Sequence, residues 1–126
     1  MALFYFQNFL HIIQYITFAD GFHWGIGGMG ALELAIPLQQ KRILAHLRRR
    51  GLNEQFVEFF VVHCELDEEH GDGWFNAGMP YVENVSDYQK VFSGAMRMLD
   101  ARAGVYDGVF QKLTSQKLPE GMNVVR

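Results

Sequence analysis

Apolar residues at the start of the chain recur at three- and four-residue steps. Phe6, Phe9, Leu10, Ile13 and Ile16 trace one stripe, which predicts a helix from about Ala2 to Phe18. Phe4, Ile12 and Phe18 widen the stripe, so burial on more than one side is expected. Asp20 and Gly21 then mark a break or bend.

A second helical pattern runs from about Gly25 to Arg50. Leu32, Ala35, Ile36, Ile43, Leu44 and Leu47 supply its apolar faces, and Pro37 is expected to kink it. Arg48, Arg49 and Arg50 suit the negative end of the helix dipole, and Gly51 is a good stop. Gly25, Gly27, Gly28 and Gly30 resemble a phosphate loop only superficially. No strand precedes them, and neither nucleotide-binding fingerprint is present. Small residues there let the helix approach another backbone or a cofactor closely.

The third pattern begins at Asn53, a natural N-cap with Glu54 in the first turn, and continues to about His70. Gly71 and Gly73 weaken it, and Met79-Pro80 marks a loop. The fourth starts at Ser86, with Gln89 three residues on as a capping box. Its stripe extends from Tyr88 through Val91, Met98 and Val105 to Leu113, with Arg102 interrupting the centre. Residues 114–126 contain Pro119 and Gly121, show no period and are expected to form a loosely ordered tail. No strand alternation or internal repeat appears. The expected fold is all-α, a bundle of about four helices in a single domain over 1–126.

Composition changes that picture in one respect. Hydrophobic residues make up 49% of the chain and aromatics 14%, more apolar surface than 126 residues easily hide. A homo-oligomer, a dimer in the simplest case, is therefore expected, or a half-domain completed by another half. The formal net charge of -3 gives no basic field for nucleic acid. Gln7, Asn8, His11, Gln14 and Asp20 interrupt the apolar N-terminus, so no membrane span is expected. No Lys or Arg precedes Lys41, which argues against a signal peptide. The lone Cys64 cannot form an internal disulfide and fits a reducing, cytoplasmic setting.

The chemistry lies on the third helix. At about 100° per residue, Phe56, Phe59, Phe60, His63, Leu66, Asp67, His70 and Trp74 share one side. Glu54, Glu58, Glu65, Glu68, Glu69 and Asp72 supply a separate solvent face. Ionisable groups on a core-facing stripe are costly unless paired or metal-bound. The steps of four and three from His63 to Asp67 to His70 put successive side chains one turn apart. Imidazole and carboxylate donors so arranged can converge on iron or manganese, with zinc as a further option. The competing reading has both histidines hydrogen-bonded to Asp67 at a half-buried helix edge. Glu33, flanked by apolar residues, is a second carboxylate that either reaches solvent or joins such a site. A nucleophilic hydrolase is poorly supported: Cys64 lies about 100° from the His63 stripe, and no serine-centred motif is present.

The run His63-x-x-x-Asp67-x-x-His70, about thirty residues after Glu33, resembles the C-terminal half of the heme-oxygenase-like diiron oxidase and oxygenase family. The segment from Phe59 to Gly71 is the closest match, and Gly30 to Pro37 has a similar character. The resemblance covers roughly residues 25 to 113. It implies half of a heme-oxygenase-like bundle, with Glu33, His63, Asp67 and His70 as ligands to iron, two ions where the site is complete. It also implies oxidation of a small apolar or amphipathic substrate by dioxygen. Phe56, Phe59, Phe60, Trp74, Tyr88, Arg102 and Tyr106 are the residues expected to line the pocket. Arg102 would bind a substrate carboxylate or pair with Asp67 or Glu33, unless it is a surface ion pair.

Members of that family take further ligands from a helix upstream of the one corresponding to Glu33. Met1 to Asp20 contains His11 and no Glu. The chain is thus expected to be a half-length relative, a truncated one, or one completed by a second copy. Two readings from other classes stand beside the enzyme. One is a non-catalytic, self-associating helical protein. The other is a small-molecule binding module without a complete metal site.

Overall fold

The computed structural model describes residues 2–18 and 21–115. It contains α1 (Ala2–Phe18), α2 (Phe22–Arg49), α3 (Glu54–Gly78), a 3-10 turn (Met79–Tyr81) and α4 (Val85–Ser115). No strand occurs among the described residues. The all-α expectation is met. Thr114 and Ser115 still belong to α4, and the rest of the expected tail lies outside the described residues. No helix among them is long and apolar enough to cross a membrane.

Local signals explain most boundaries. Gly21 enters α2 at φ 90°, a backbone conformation that side chains other than glycine rarely adopt. At the other end, Leu52 N–H donates to the Leu47 carbonyl (3.2 Å) and Gly51 N–H to Arg48 (3.0 Å). With Gly51 at φ 78°, these bonds make a Schellman stop. Arg48 also clasps Glu54 through Nε and Nη2 (2.8 and 2.5 Å), tying the end of α2 to the start of α3. Asn53 caps α3 by accepting from Gln55 N–H at 2.9 Å.

Two boundaries differ from expectation. The cap of α4 is Asn84, not Ser86: its Oδ1 accepts from Asp87 N–H (3.0 Å), while its Nδ2 donates to the Asp87 carboxylate (2.8 Å). The third helix does not stop at His70 but continues through Gly71 and Gly73 to Gly78. Gly71 faces α2, where the Leu34 side chain occupies the space that a Cβ would need. Packing thus outweighs the weak helix propensity of glycine.

α2 is the central element. α3 packs along one side of it and α4 along the other, with α1 laid across α4 and α2. Among the described residues, α3 touches neither α1 nor α4. The α2–α4 contact is very close. A Cβ on Gly27 would collide with the Val91 carbonyl, and one on Gly94 with the Trp24 carbonyl. Of the glycines that superficially resemble a phosphate loop, Gly27 thus serves backbone-to-backbone packing, while Gly28 and Gly30 make room for the Ile16 and Phe75 side chains.

Ile16, Leu32 and Met98 are buried where α1, α2 and α4 meet, with Phe9, Ile13 and Ile36 packed around them. Of the residues expected to widen the buried side of α1, Ile12 packs on this core, Phe4 is exposed and the Phe18 side chain lies outside those described; Phe6 and Leu10, from the main stripe, are also exposed. Similarly, the buried seam of α3 runs through Val57, Asp67, Gly71 and Gly78. Phe56, Phe59, Leu66 and Trp74 lie beside that seam, in the open. The apolar arc on α3 is wider than a single neighbouring helix can cover.

Candidate metal centre

Three donors from two helices converge at the α2–α3 seam. Glu33 comes from α2, and Asp67 and His70 come from α3. One ligand atom from each lies within 4.8 Å of the others. Asp67 is only 3% exposed, Glu33 is half-buried and His70 is exposed. His70 Nδ1 stands 3.7 Å from Asp67 Oδ1. Among the described residues, Asp67 Oδ2 is buried with no hydrogen-bond partner.

That orphaned oxygen is the most telling feature of the site. A buried carboxylate oxygen without a donor is unfavourable unless something positive reaches it. Glu33 reports the same environment: burial pushes its carboxyl above the ordinary carboxylate value, and the Asp67 charge adds to the rise. The charges of His70, His63 and Arg102 oppose it more weakly. Two carboxylates and an imidazole therefore share a site that favours a proton or a cation between them. Mixed oxygen and nitrogen donors suit iron or manganese, and zinc is also accommodated. The donor set fits such an ion.

The backbone around Glu33 is also unusual. Pro37 lies four residues further along α2, buried within the helix. Proline has no N–H, so the Glu33 carbonyl lacks the usual partner from the next turn. α2 nevertheless continues through Pro37, and the missing hydrogen bond falls at the residue that offers the carboxylate.

His63 stands one turn before Asp67 but outside the converging set. Its Nδ1 is 2.6 Å from the Phe59 carbonyl, and its ring lies against the Phe59 ring with centroids 4.0 Å apart. A carbonyl only accepts, so Nδ1 carries the proton and Nε2 presents the lone pair of the neutral ring. A metal-binding histidine is commonly oriented in this way.

A recess of about 410 Å³ opens beside the donors, bordered by Glu33, Glu69, His70, Gly73, Trp74 and Ala77. Trp74 is where a substrate-lining residue was expected. Glu69 was assigned to the solvent face and adds a further carboxylate at the rim. Gly73, one turn beyond Glu69, leaves the space in front of it open. That i, i+4 pairing was the only sequence signal for Glu69.

The other expected pocket residues are not brought together. Phe56 and Phe59 are exposed on α3, and Phe60 is half-buried there. Tyr88, Arg102 and Tyr106 belong to α4, which does not touch α3. Tyr88 is exposed. Arg102 donates to Gln39 Oε1 on α2, not to Asp67 or Glu33. Arg102 and Tyr106 line two other spaces, which share no residue with the recess beside the donors. Cys64 Sγ lies on the α2–α3 seam, 4.0 Å from the Pro37 carbonyl.

Comparison with known families bears on this geometry. Residues 6–103, well over half of the chain, match the model of a family described as iron-containing redox enzymes. Neither a curated protein nor a solved structure matches the chain. On the family match, the chain belongs to the heme-oxygenase-like, iron-containing redox enzymes, and a metal-dependent redox role follows in general terms.

Proposed function

We propose that this member of the iron-containing redox enzymes is a non-heme iron oxidoreductase that uses dioxygen on a small apolar or amphipathic substrate. Glu33, Asp67 and His70 would hold the metal, with His63 as a further donor through Nε2. The observation that carries this reading is the buried, unpartnered Asp67 Oδ2 within a set of three donors spanning at most 4.8 Å. When bound, iron supplies the one-electron and dioxygen chemistry that amino-acid side chains lack.

The chain's own residues have separate tasks. Asp67 brings a desolvated carboxylate, so its attraction for a cation is weakly screened. Glu33 retains a proton more readily than an exposed glutamate and gives it up on ligation, so binding releases a proton. The Phe59 carbonyl fixes the His63 tautomer. Trp74 offers an apolar wall to a substrate in the adjoining recess, and Glu69 places a negative charge at its rim.

We further propose that the working form is a homodimer. The open apolar flank of α3, with Phe56, Phe59 and Leu66 exposed, supports this assembly. Pairing two such flanks would set two His-Asp-His faces near one another and allow two iron ions per pair. A reducing, cytoplasmic setting suits ferrous iron and the single thiol, Cys64.

Metal content and native mass, measured on one sample purified anaerobically with ferrous iron, test the proposal. Near-stoichiometric iron in a species of twice 14.5 kDa is expected. A stable fold that binds no iron and resists chelator would overturn the enzymatic reading. The same exposed flank would then favour a non-catalytic, self-associating protein.

A further inference from the structure

We infer that Glu69 is a capture carboxylate for the incoming metal: it takes up the hydrated divalent cation at the mouth of the recess and passes it inward to Glu33, His70 and Asp67. The inference rests on the metal reading above and adds the route by which the ion arrives.

The converging donors alone face an access problem. Asp67 is 3% exposed, and its Oδ2 has no hydrogen-bond partner among the described residues. A small divalent cation gives up its water shell reluctantly, and that shell must be shed before so enclosed a carboxylate can bind. An ion stripped of water before it meets other oxygens passes through a costly state. A carboxylate standing in water in front of the site removes that obstacle, because it can hold the ion with most of the shell in place.

Glu69 has the position for this task. It borders the recess of about 410 Å³ together with Glu33 and His70. Six waters take up roughly 180 Å³ at their liquid volume, so a hydrated cation enters whole. Gly73 lies one turn beyond Glu69, and a Cβ there would meet nothing within 4 Å. Glu69 is exposed and is not one of the donors that converge within 4.8 Å. It is therefore placed to receive an ion and not to keep it.

Charge favours a cation at this mouth. Two carboxylates and one imidazole line the recess, with no Lys or Arg among the lining residues. The Arg102 charge reaches Glu33 but acts on it more weakly than Asp67, His70 or His63. From Glu54 to Gly78, α3 carries seven carboxylates and no Lys or Arg. Of these, Glu58, Glu65, Glu69 and Asp72 are exposed and share one side of the helix. Such a line raises the local concentration of cations beside the recess.

Cobalt(II) is the probe, since its visible absorption changes when nitrogen and carboxylate donors replace water. Stopped-flow mixing with the full metal-free chain reads association, a chelator chase reads release, and the final spectrum reads the resident site. Glu69→Gln should slow association and release together by roughly fivefold or more, with the final spectrum unchanged and the dissociation constant within about twofold. Glu69→Asp should keep part of the rate. Glu58→Gln removes the same charge about 16 Å further along the helix, beyond the screening length of about 8 Å at physiological salt, and should leave both rates as they are. A rate unaffected by Glu69→Gln would overturn the capture role. So would a changed spectrum or a much weaker dissociation constant in that variant, which would make Glu69 a resident ligand. Equal slowing by Glu58→Gln would also overturn it, by reducing Glu69 to one charge among several. Failure of the metal reading looks different: the wild-type chain itself would give no cobalt spectrum, and the capture role would fall with it.

Discussion

Glu33 on α2 and Asp67 on α3 bring ligand oxygens within 4.8 Å of each other across a helix seam, and the Asp67 carboxylate is nearly inaccessible to water. Two like charges so placed repel unless a proton or a cation intervenes. Replacing Asp67 with Asn removes one of them. The Glu33 carboxyl should then titrate closer to its ordinary value, because the Asp67 charge contributes to its rise. Carbon-detected NMR titration of the Glu33 side chain in Asp67→Asn checks this. An unchanged midpoint would mean that burial alone sets the Glu33 value.

Stability of the metal-free protein should carry the same signature. A carboxyl whose folded value is raised favours the fold while protonated, and that contribution is lost as pH rises through the folded value. Glu33 should therefore make the metal-free chain less stable as pH climbs out of the acid range. Glu54 and Asp87 act in the opposite sense. Hydrogen bonds from Arg48 and Lys90 hold their carboxyls low, so their help is present at neutral pH and fades in acid. Both remain in Glu33→Gln, so melting curves of the two proteins over about pH 4 to 8 isolate the Glu33 contribution. Parallel curves would remove it.

His70→Ala should abolish stoichiometric iron, since His70 is the only nitrogen donor within the converging set. His63→Ala should weaken iron by roughly ten- to a hundredfold, a typical effect for a group that supports a site from its edge. Iron content after gel filtration, with circular dichroism to verify folding, tests both. Full iron content in His63→Ala would exclude His63 from the ligand set and leave the other three in place.

Glycine substitutions should separate close packing from open helix surface. Gly27→Ala forces a methyl group against the Val91 backbone and should cost about 1–3 kcal/mol. Gly73→Ala meets nothing within 4 Å and should stabilise α3 by about 0.5–1 kcal/mol. Midpoints of several degrees in opposite directions are expected by calorimetry.

The exposed flank of α3 predicts self-association. Phe59 is 59% exposed, and Phe59→Glu should shift the protein toward monomer and reduce iron occupancy with it. Leu113→Glu, at the far end of α4, should affect neither. Sedimentation velocity across a concentration series reads the difference. A wild-type monomer at all concentrations would sink the dimer proposal.

Much of this was legible in the sequence because helix periodicity and caps are local signals. The Asn53 cap, the Gly51 stop and the set of four helices follow from a few neighbouring residues. The grouping of Asp67 with His70 was legible for the same reason, since both lie on one helix. What a single strip of sequence cannot supply is which neighbour covers which side. The arc from Phe56 to Trp74 looked like core because it is apolar, yet α2 covers the adjacent seam through Val57 and Gly71. Arg102 was grouped with the α3 aromatics, but α4 packs on α2, where Arg102 donates to Gln39. Gln39 gave no signal at all, since amides on a helix are commonplace.

Among the described residues, α2 is the one α-helix that α3 packs against, and this has a consequence for how the protein responds to its surroundings. A helix zipped along one edge can detach as a unit without disturbing the junction of α1, α2 and α4. Two of the three converging donors would leave with it, and the third would stay behind on α2. An ion held by all three is therefore a latch across the α2–α3 seam. Scarcity of metal would open that seam, and amide hydrogen exchange would rise along α3 well before it rose along α4.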